Sequence, residues 1–344
     1  MRALTLIVRN LDALATTEAR TRCPALESFL SRCDVTVSRH GSVAGWVCAA
    51  HGIERQRDWP AGVILARASD EASEDAAADA NERWYWLCAQ PVHLAVDRDS
   101  LVLQSPSQLR LSAHESRELF DALKQHFDQE RLNVKYVEPG IWCIGTRCHQ
   151  NLSTTEPELA QDRDVDGFLP GGADAGWWQR LITEAQMILH EHPVNAAREA
   201  RGEAPVNSVW IWGGGVPAGV DSRFDAMCVT DPLLRALARL SQARLIDGSA
   251  SPLAWPAFDN MLAEFTLQAE GAVDASLSAL EQHWLSPAWQ GLSSRRLDEL
   301  TLVLPLTGGV TVCRCSRSER RRFWRRPQSI SGFLSRLPET VRRS

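Results

Sequence analysis

Between Leu189 and Gly215 the sequence reads LHEHPVNAAREARGEAPVNSVWIWGGG, and these 27 residues hold two histidines, two asparagines, two arginines, two tryptophans and a closing triple glycine. Each type suggests a task. An arginine such as Arg198 can hold a phosphate or carboxylate through two parallel N–H bonds, and Asn195 and Asn207 add neutral donors and acceptors. Gly213, Gly214 and Gly215 remove the side chains that would block a ligand at the carboxyl end of a strand, where open α/β sheets bind their ligands. The expected ligand is a small anionic metabolite, bound by Asn195, Arg198, Asn207 and Gly213 to Gly215 without a metal or other cofactor. The competing reading is scaffold, with Arg198 paired to Glu191 or Glu203 and with Trp210 and Trp212 filling a core.

Other motifs offer less. His190 and His192 are two apart, which places them on different helix faces, whereas zinc-binding helices use ligands four apart. Cys143, Cys148 and His149 lie together, with Cys313 and Cys315 far downstream, but no C-x-x-C half-site is present. WGGGVP lacks the Lys-Ser or Lys-Thr of a phosphate-cradling loop, and neither a G-x-S-x-G elbow nor a dinucleotide fingerprint occurs. No metal ligand and no catalytic residue is therefore assigned. From 314 to 326, RCSRSERRRFWRR carries seven arginines and two aromatics, a composition suited to nucleic acid or an anionic membrane. The helical spacing of Ile330, Phe333, Leu334 and Leu337 points instead to a tail docked on its own acidic protein.

These residues must be positioned by strands and helices. ALTLIVRN (3 to 10) reads as a buried strand, and CPALESFLSRC as a helix burying Leu26, Phe29 and Leu30. VHLAVDRDSLVLQ is a pair of strands about an Asp-rich turn. Ser112 and Glu115 form a capping box that opens a helix with Leu119, Phe120, Leu123 and Phe127 on its inner face. NVKYVEPGIWCIG follows as strand, turn, strand. WWQRLITEAQMILHEH is an amphipathic helix with Trp177, Trp178, Leu181, Ile182, Ala185, Ile188 and Leu189 inward, and NSVWIW a strand. DPLLRALARLSQARL and the whole run from FDNMLAEFT to HWLSPA read as helices, and LDELTLVLPLTGGVTVCRC as a hairpin about Gly308 and Gly309. The acidic stretch 68 to 83 carries no chemistry. The pattern is an α/β core in two pieces, 1–84 and 151–344, with an inserted α+β lobe over 85–150 and a basic tail, 314–344, within the core.

With 344 residues and 44% apolar content the chain can bury a sizeable core. Its formal charge of −6 argues against a general polyanion binder, although the basic tail departs from that average. Nine scattered cysteines in no repeated spacing speak for free thiols in a reducing cytoplasm. The N-terminus reads as a strand rather than a leader, and no window approaches the roughly 20 apolar residues of a membrane span.

The opening stretch resembles a segment of archaeal-type, cofactor-independent phosphoglycerate mutases, H-P-V-N-x-x-R-x-x-x-G followed by N-x-x-W-x-W-G-x-G. The matching positions are His192, Pro193, Val194, Asn195, Arg198, Gly202, Asn207, Trp210, Trp212, Gly213 and Gly215. The resemblance extends weakly from about residue 20 to 215. Together with LITEAQMILHEHPVN and RRFWRR, the pattern is similar to bacterial RpfE-type regulatory proteins. It implies an alkaline-phosphatase-like core with an inserted lobe. That superfamily uses two divalent metals, held by an Asp-Gly segment after the first strand and by later Asp and His clusters, beside a Ser or Thr nucleophile. Here the first strand runs into VRNLDAL, His283 is the only histidine after Gly215, and GIWCIG stands where the mutases carry an Arg-His pair. The expectation is a cytoplasmic, non-catalytic mutase-like protein with a regulatory or ligand-sensing role and an unidentified protein partner. Two alternatives stand beside it: a working mutase-like phosphotransfer enzyme with a rearranged site, and an adaptor that binds nucleic acid or membrane through 314–326.

Overall fold

The structure, a computed structural model, describes residues 2–11, 21–70, 84–97, 100–104, 109–247, 258–268, 272–306, 309–322 and 324–337. The acidic stretch from 71 onward, Asp12 and Gly308 lie outside the described residues. The chain divides into two compact units, one made of Met1–Gly52 with Val220–Ser344 and the other of Ile53–Gly219.

The first unit is built on a seven-stranded sheet in the order β10-β9-β11-β1-β12-β13-β2. Its centre is β1 (Ala3–Arg9), which pairs in parallel with β11 (Asn260–Thr266) on one side and β12 (Glu299–Leu306) on the other. A strand buried on both faces reads as an unbroken apolar run, which is why LTLIV was recognisable. Beyond β11 lie β9 (Ala226–Cys228) and β10 (Arg244–Leu245), both parallel, while β13 (Gly309–Ser316) and β2 (Asp34–Val37) close the other edge antiparallel. Helix α1 (Pro24–Arg32) buries Leu26, Phe29 and Leu30, and Leu277, Leu280 and Trp284 join the same core. The tail docks there too. Phe333, Leu334 and Leu337 are buried in this core, Arg322 pairs with Asp34, and Arg317 pairs with Asp298.

One expectation fails here. FDNMLAEFT was read as the start of a long helix, since Met, Leu, Ala and Glu are good helix formers. It is β11, whose Met261, Leu262 and Ala263 are completely buried between β1 and β9. Tertiary pairing overrides propensity when a strand is enclosed on both sides.

The second unit holds a four-stranded antiparallel sheet, β6-β7-β3-β8, from β3 (Tyr85–Val92), β6 (Asn133–Glu138), β7 (Ile141–Thr146) and β8 (Ser208–Gly215), with a separate hairpin of β4 (Leu94–Asp97) and β5 (Ser100–Leu103). One face carries Leu87, Ala89, Trp142 and Ile144 against helices α2 (Ala113–Gln129) and α3 (Ala175–His190). On the other face Cys143 donates to the carbonyl of Gly62, in the helix Ala61–Asp70. That helix lies so close that a Cβ on Gly62 would come within 2.5 Å of the Leu87 backbone. The unit is thus wider than the lobe expected over 85–150. β8 supplies the strand beside β3 and Gly62 seats its helix on the sheet, so β8 and the helix Ala61–Asp70 pack with the lobe. Among the described residues no helix is long and apolar enough to cross a membrane, and all nine cysteines are free thiols.

Candidate functional site

The segment that opened the sequence analysis runs from the end of α3 through helix α4 (Pro193–Ala200) into β8. His192 caps α4, its Nδ1 accepting from the Val194 N–H at 3.2 Å. Asn195 is buried: its Nδ2 donates to Leu189 O and Val206 O, both at 2.7 Å, and its Oδ1 accepts from Val206 N at 2.8 Å. Arg198 is only 1% exposed, and its Nε, Nη1 and Nη2 reach Ala204 O, Glu115 and Leu109 O at 2.9, 3.2 and 2.6 Å. Glu203 stands 3.6 Å away, and Arg201 bonds both carboxylates. Asn207 pairs with the backbone N–H and C=O of Leu94, each at 2.8 Å. Asn195, Arg198 and Asn207, expected to bind a ligand, thus have their polar side-chain atoms engaged by protein. The Arg198–Glu203 contact was foreseen; Glu115 was not, because 83 residues separate it from Arg198.

The three glycines do permit close approach, but to protein. A Cβ on Gly213 would lie 2.8 Å from Ala61, one on Gly214 2.1 Å from the Tyr85 hydroxyl, and one on Gly215 2.4 Å from Pro60. Around them sits a polar cluster that no motif announced. Asp58 is 5% exposed, and it accepts from the Thr154 hydroxyl at 2.5 Å and from the Thr154 N–H at 3.0 Å. Burial raises its carboxyl above the ordinary aspartate value despite those bonds. The Tyr85 hydroxyl is buried with no hydrogen-bond partner among the described residues, and burial, with the Asp58 charge behind it, pushes it up to about 12. Trp210 and Trp212 are 6% and 8% exposed, with their indole N–H groups on Thr155 O and Gln90 Oε1.

In the first unit, polar side chains converge at the carboxyl ends of β1, β11 and β9, the edge of a parallel sheet where ligands bind in such folds. Arg9, the last residue of β1, donates from Nε to Glu264 at 2.6 Å and from Nη2 to Asp231 at 3.0 Å. The Glu264 side chain is 3% exposed, and its other oxygen accepts from Thr230 N, Thr230 Oγ1 and Asp231 N. Burial would raise the Glu264 carboxyl, but the Arg9 charge and these donors hold it below the usual glutamate value. Asp231 in turn caps the helix Pro232–Leu240 through the N–H groups of Leu233 and Leu234. Asn10 follows in a left-handed conformation, φ 63°, and donates to Leu267 O.

Sequence comparison finds a probable 2,3-bisphosphoglycerate-independent phosphoglycerate mutase of Geobacter sulfurreducens 27% identical over 196 residues, 56% of this chain and 47% of the relative. The corresponding mutase of Methanosarcina mazei is 31% identical over 110 residues, 30% of this chain and 27% of that protein. The chain is a distant homologue of these mutases. Each match spans less than half of the relative's length. No family model matches the chain. Among solved structures, a Pyrococcus horikoshii protein superposes with a TM-score of 0.51 at 12% identity, covering 97% of this chain and 92% of the other. The fold shared with that structure is a mixed α/β one, with a central sheet and flanking helices.

Among the described residues the side chains at this strand edge do not assemble the two-metal centre that the sequence resemblance implies. The two carboxylates at the strand ends, Glu264 and Asp231, are bound by a guanidinium, and among the described residues no three His, Cys, Asp or Glu side chains gather as a metal set. His149 of the Cys-His run stacks on Trp177 with ring centroids 4.2 Å apart. Sequence reading passed over Arg9 and Asp58 because their partners lie 255 and 96 residues away.

Proposed function

We propose that this chain is a non-catalytic, phosphoglycerate-mutase-like protein of the RpfE regulatory type, acting in the bacterial cytoplasm in a regulatory or ligand-sensing role. The observation that carries the reading is Arg9. At the carboxyl end of the first strand, beside the place where the mutase resemblance implies a metal-ligating carboxylate, this chain has a cation that pairs with Glu264 and Asp231. A guanidinium so placed neutralises Glu264 and Asp231 and ties three strand ends together, but it has no vacant coordination position with which to activate a hydroxyl nucleophile. Asn195, Arg198, Asn207 and Gly213 to Gly215 serve in this reading as inherited scaffold, since each engages protein atoms.

The test is a phosphoglycerate mutase assay on homogeneous protein with added Mn2+, alongside a thermal-shift titration with phosphorylated three-carbon acids. No turnover, with or without a shift in melting temperature, is the expected result. Turnover that survives purification and disappears with EDTA overturns the proposal and favours a rearranged active site.

A further inference from the structure

The docked tail leaves a positively charged surface that the mutase-like reading does not use. Residues 320–322 and 324–328 run past the carboxyl end of α1: Arg322 Nη1 donates to Arg32 O at 3.0 Å, Gln328 Nε2 to Leu30 O at 3.1 Å, and Arg325 Nη1 to Ser31 O at 3.4 Å. Cationic and amide donors at a helix carboxyl end satisfy its last carbonyls, and this explains why the segment lies there. It leaves an excess of charge. Arg314, Arg317 and Arg322 have carboxylate partners in Glu299, Asp298 and Asp34, and Glu319 closes a capping box with Ser316. Arg32, Arg320, Arg321, Arg325 and Arg326 have no carboxylate partner among the described residues. Two of them crowd one aromatic ring, Arg32 at 5.4 Å and Arg320 at 5.2 Å from the Trp289 centroid, and the Nε of each is buried without a hydrogen-bond partner. Arg321, Arg325 and Arg326 are exposed, and Trp324 among them is 68% exposed.

Like charges gathered without counter-charges repel one another, and a polyanion relieves that repulsion. We propose that this face, Arg32, Arg320, Arg321, Arg325 and Arg326 with Trp324, binds single-stranded nucleic acid. The arginines would take the phosphates and the Trp324 ring would stack on a base. A membrane is the less suitable partner. Surface insertion needs an exposed apolar helix face, and the apolar residues that follow, Phe333, Leu334 and Leu337, are already buried in the protein's own core.

The test is fluorescence anisotropy of the full chain with a labelled oligothymidylate of about 20 nucleotides across a salt series. Five arginines on five phosphates give a slope of log K against log salt of about −3.5 on a single strand, roughly a hundredfold loss from 50 to 200 mM. The double variant R321Q/R326Q, at exposed positions with no side-chain hydrogen bond to α1 among the described residues, should keep the wild-type melting temperature while the slope falls to about −2.1, and W324A should weaken binding about tenfold. No oligonucleotide binding at 50 mM salt, or a slope unchanged in the double variant, overturns the proposal. So does binding to phosphatidylserine vesicles without binding to the oligonucleotide, which would make the face a membrane contact.

Discussion

Replacing Arg9 by Met tests whether this guanidinium stands as the permanent cation of the strand edge. Methionine keeps the apolar length of the side chain but takes the guanidinium away from Glu264, which is 3% exposed. Breaking a buried pair by removing one partner typically costs about 3 to 5 kcal/mol, because a desolvated charge is left behind. The pH dependence then separates electrostatics from packing. In the wild type Glu264 titrates below its unfolded value. Its contribution is therefore complete above the unfolded glutamate pKa of about 4.3 and fades as pH falls through the lower folded value. In the variant burial is opposed only by the Thr230 and Asp231 donors, so Glu264 titrates higher than in the wild type and protonation relieves part of the cost. Urea unfolding at pH 7 and pH 4.5 should show a loss of about 3 to 5 kcal/mol at pH 7 that shrinks clearly at pH 4.5, and E264Q in the R9M background should recover much of the neutral-pH loss. A cost under about 1 kcal/mol, or one equal at both pH values, would refute the reasoning.

Gly214→Ala should be strongly destabilising, since its Cβ would meet the Tyr85 hydroxyl at 2.1 Å, and Tyr85→Phe should recover part of that loss by removing the oxygen; additive effects in urea melts would argue against the contact. Trp212→Ala should cost about 3 to 5 kcal/mol, since the ring is 8% exposed and its N–H is bonded to Gln90; an unchanged melting temperature would give the ring a surface role instead. Truncation after Pro327 removes Phe333, Leu334 and Leu337 from the core, so the shortened protein should melt lower and bind an apolar dye, whereas equal stability would show that the tail does not hold the unit together.

Local chemistry was legible where it recurs locally. The capping box of Ser112 and Glu115, the inward stripe of α3 and the apolar run of β1 each announce themselves within one element, and the tail's helical spacing foretold its docking. β11 was misread because its composition favours a helix and only its neighbours in the sheet make it a strand. The seating of Gly62 on Leu87 and the pairing of β8 with β3 are long-range contacts that no local pattern announces. The site was least legible. Asn195 and Arg198 have the residue types of a binding site, and only the positions of Leu109, Glu115 and Val206 turn them into struts. Arg9 looked like an ordinary strand terminus until Asp231 and Glu264 were brought to it.

The parallel pairing of β1 also sets an order of events during synthesis. Ala3 pairs with Asn260 and Glu299, so the strand made first waits for partners made more than 250 residues later. At about 5 to 20 residues per second that interval is roughly 13 to 50 seconds. Meanwhile residues 53 to 219 form a contiguous unit that can fold as soon as they emerge. Throughout the delay LTLIV remains an unpaired apolar strand, of the kind that aggregates or recruits a chaperone. Slowed elongation between residues 220 and 300 should therefore lower the soluble yield of this chain more than the same slowing within 53 to 219.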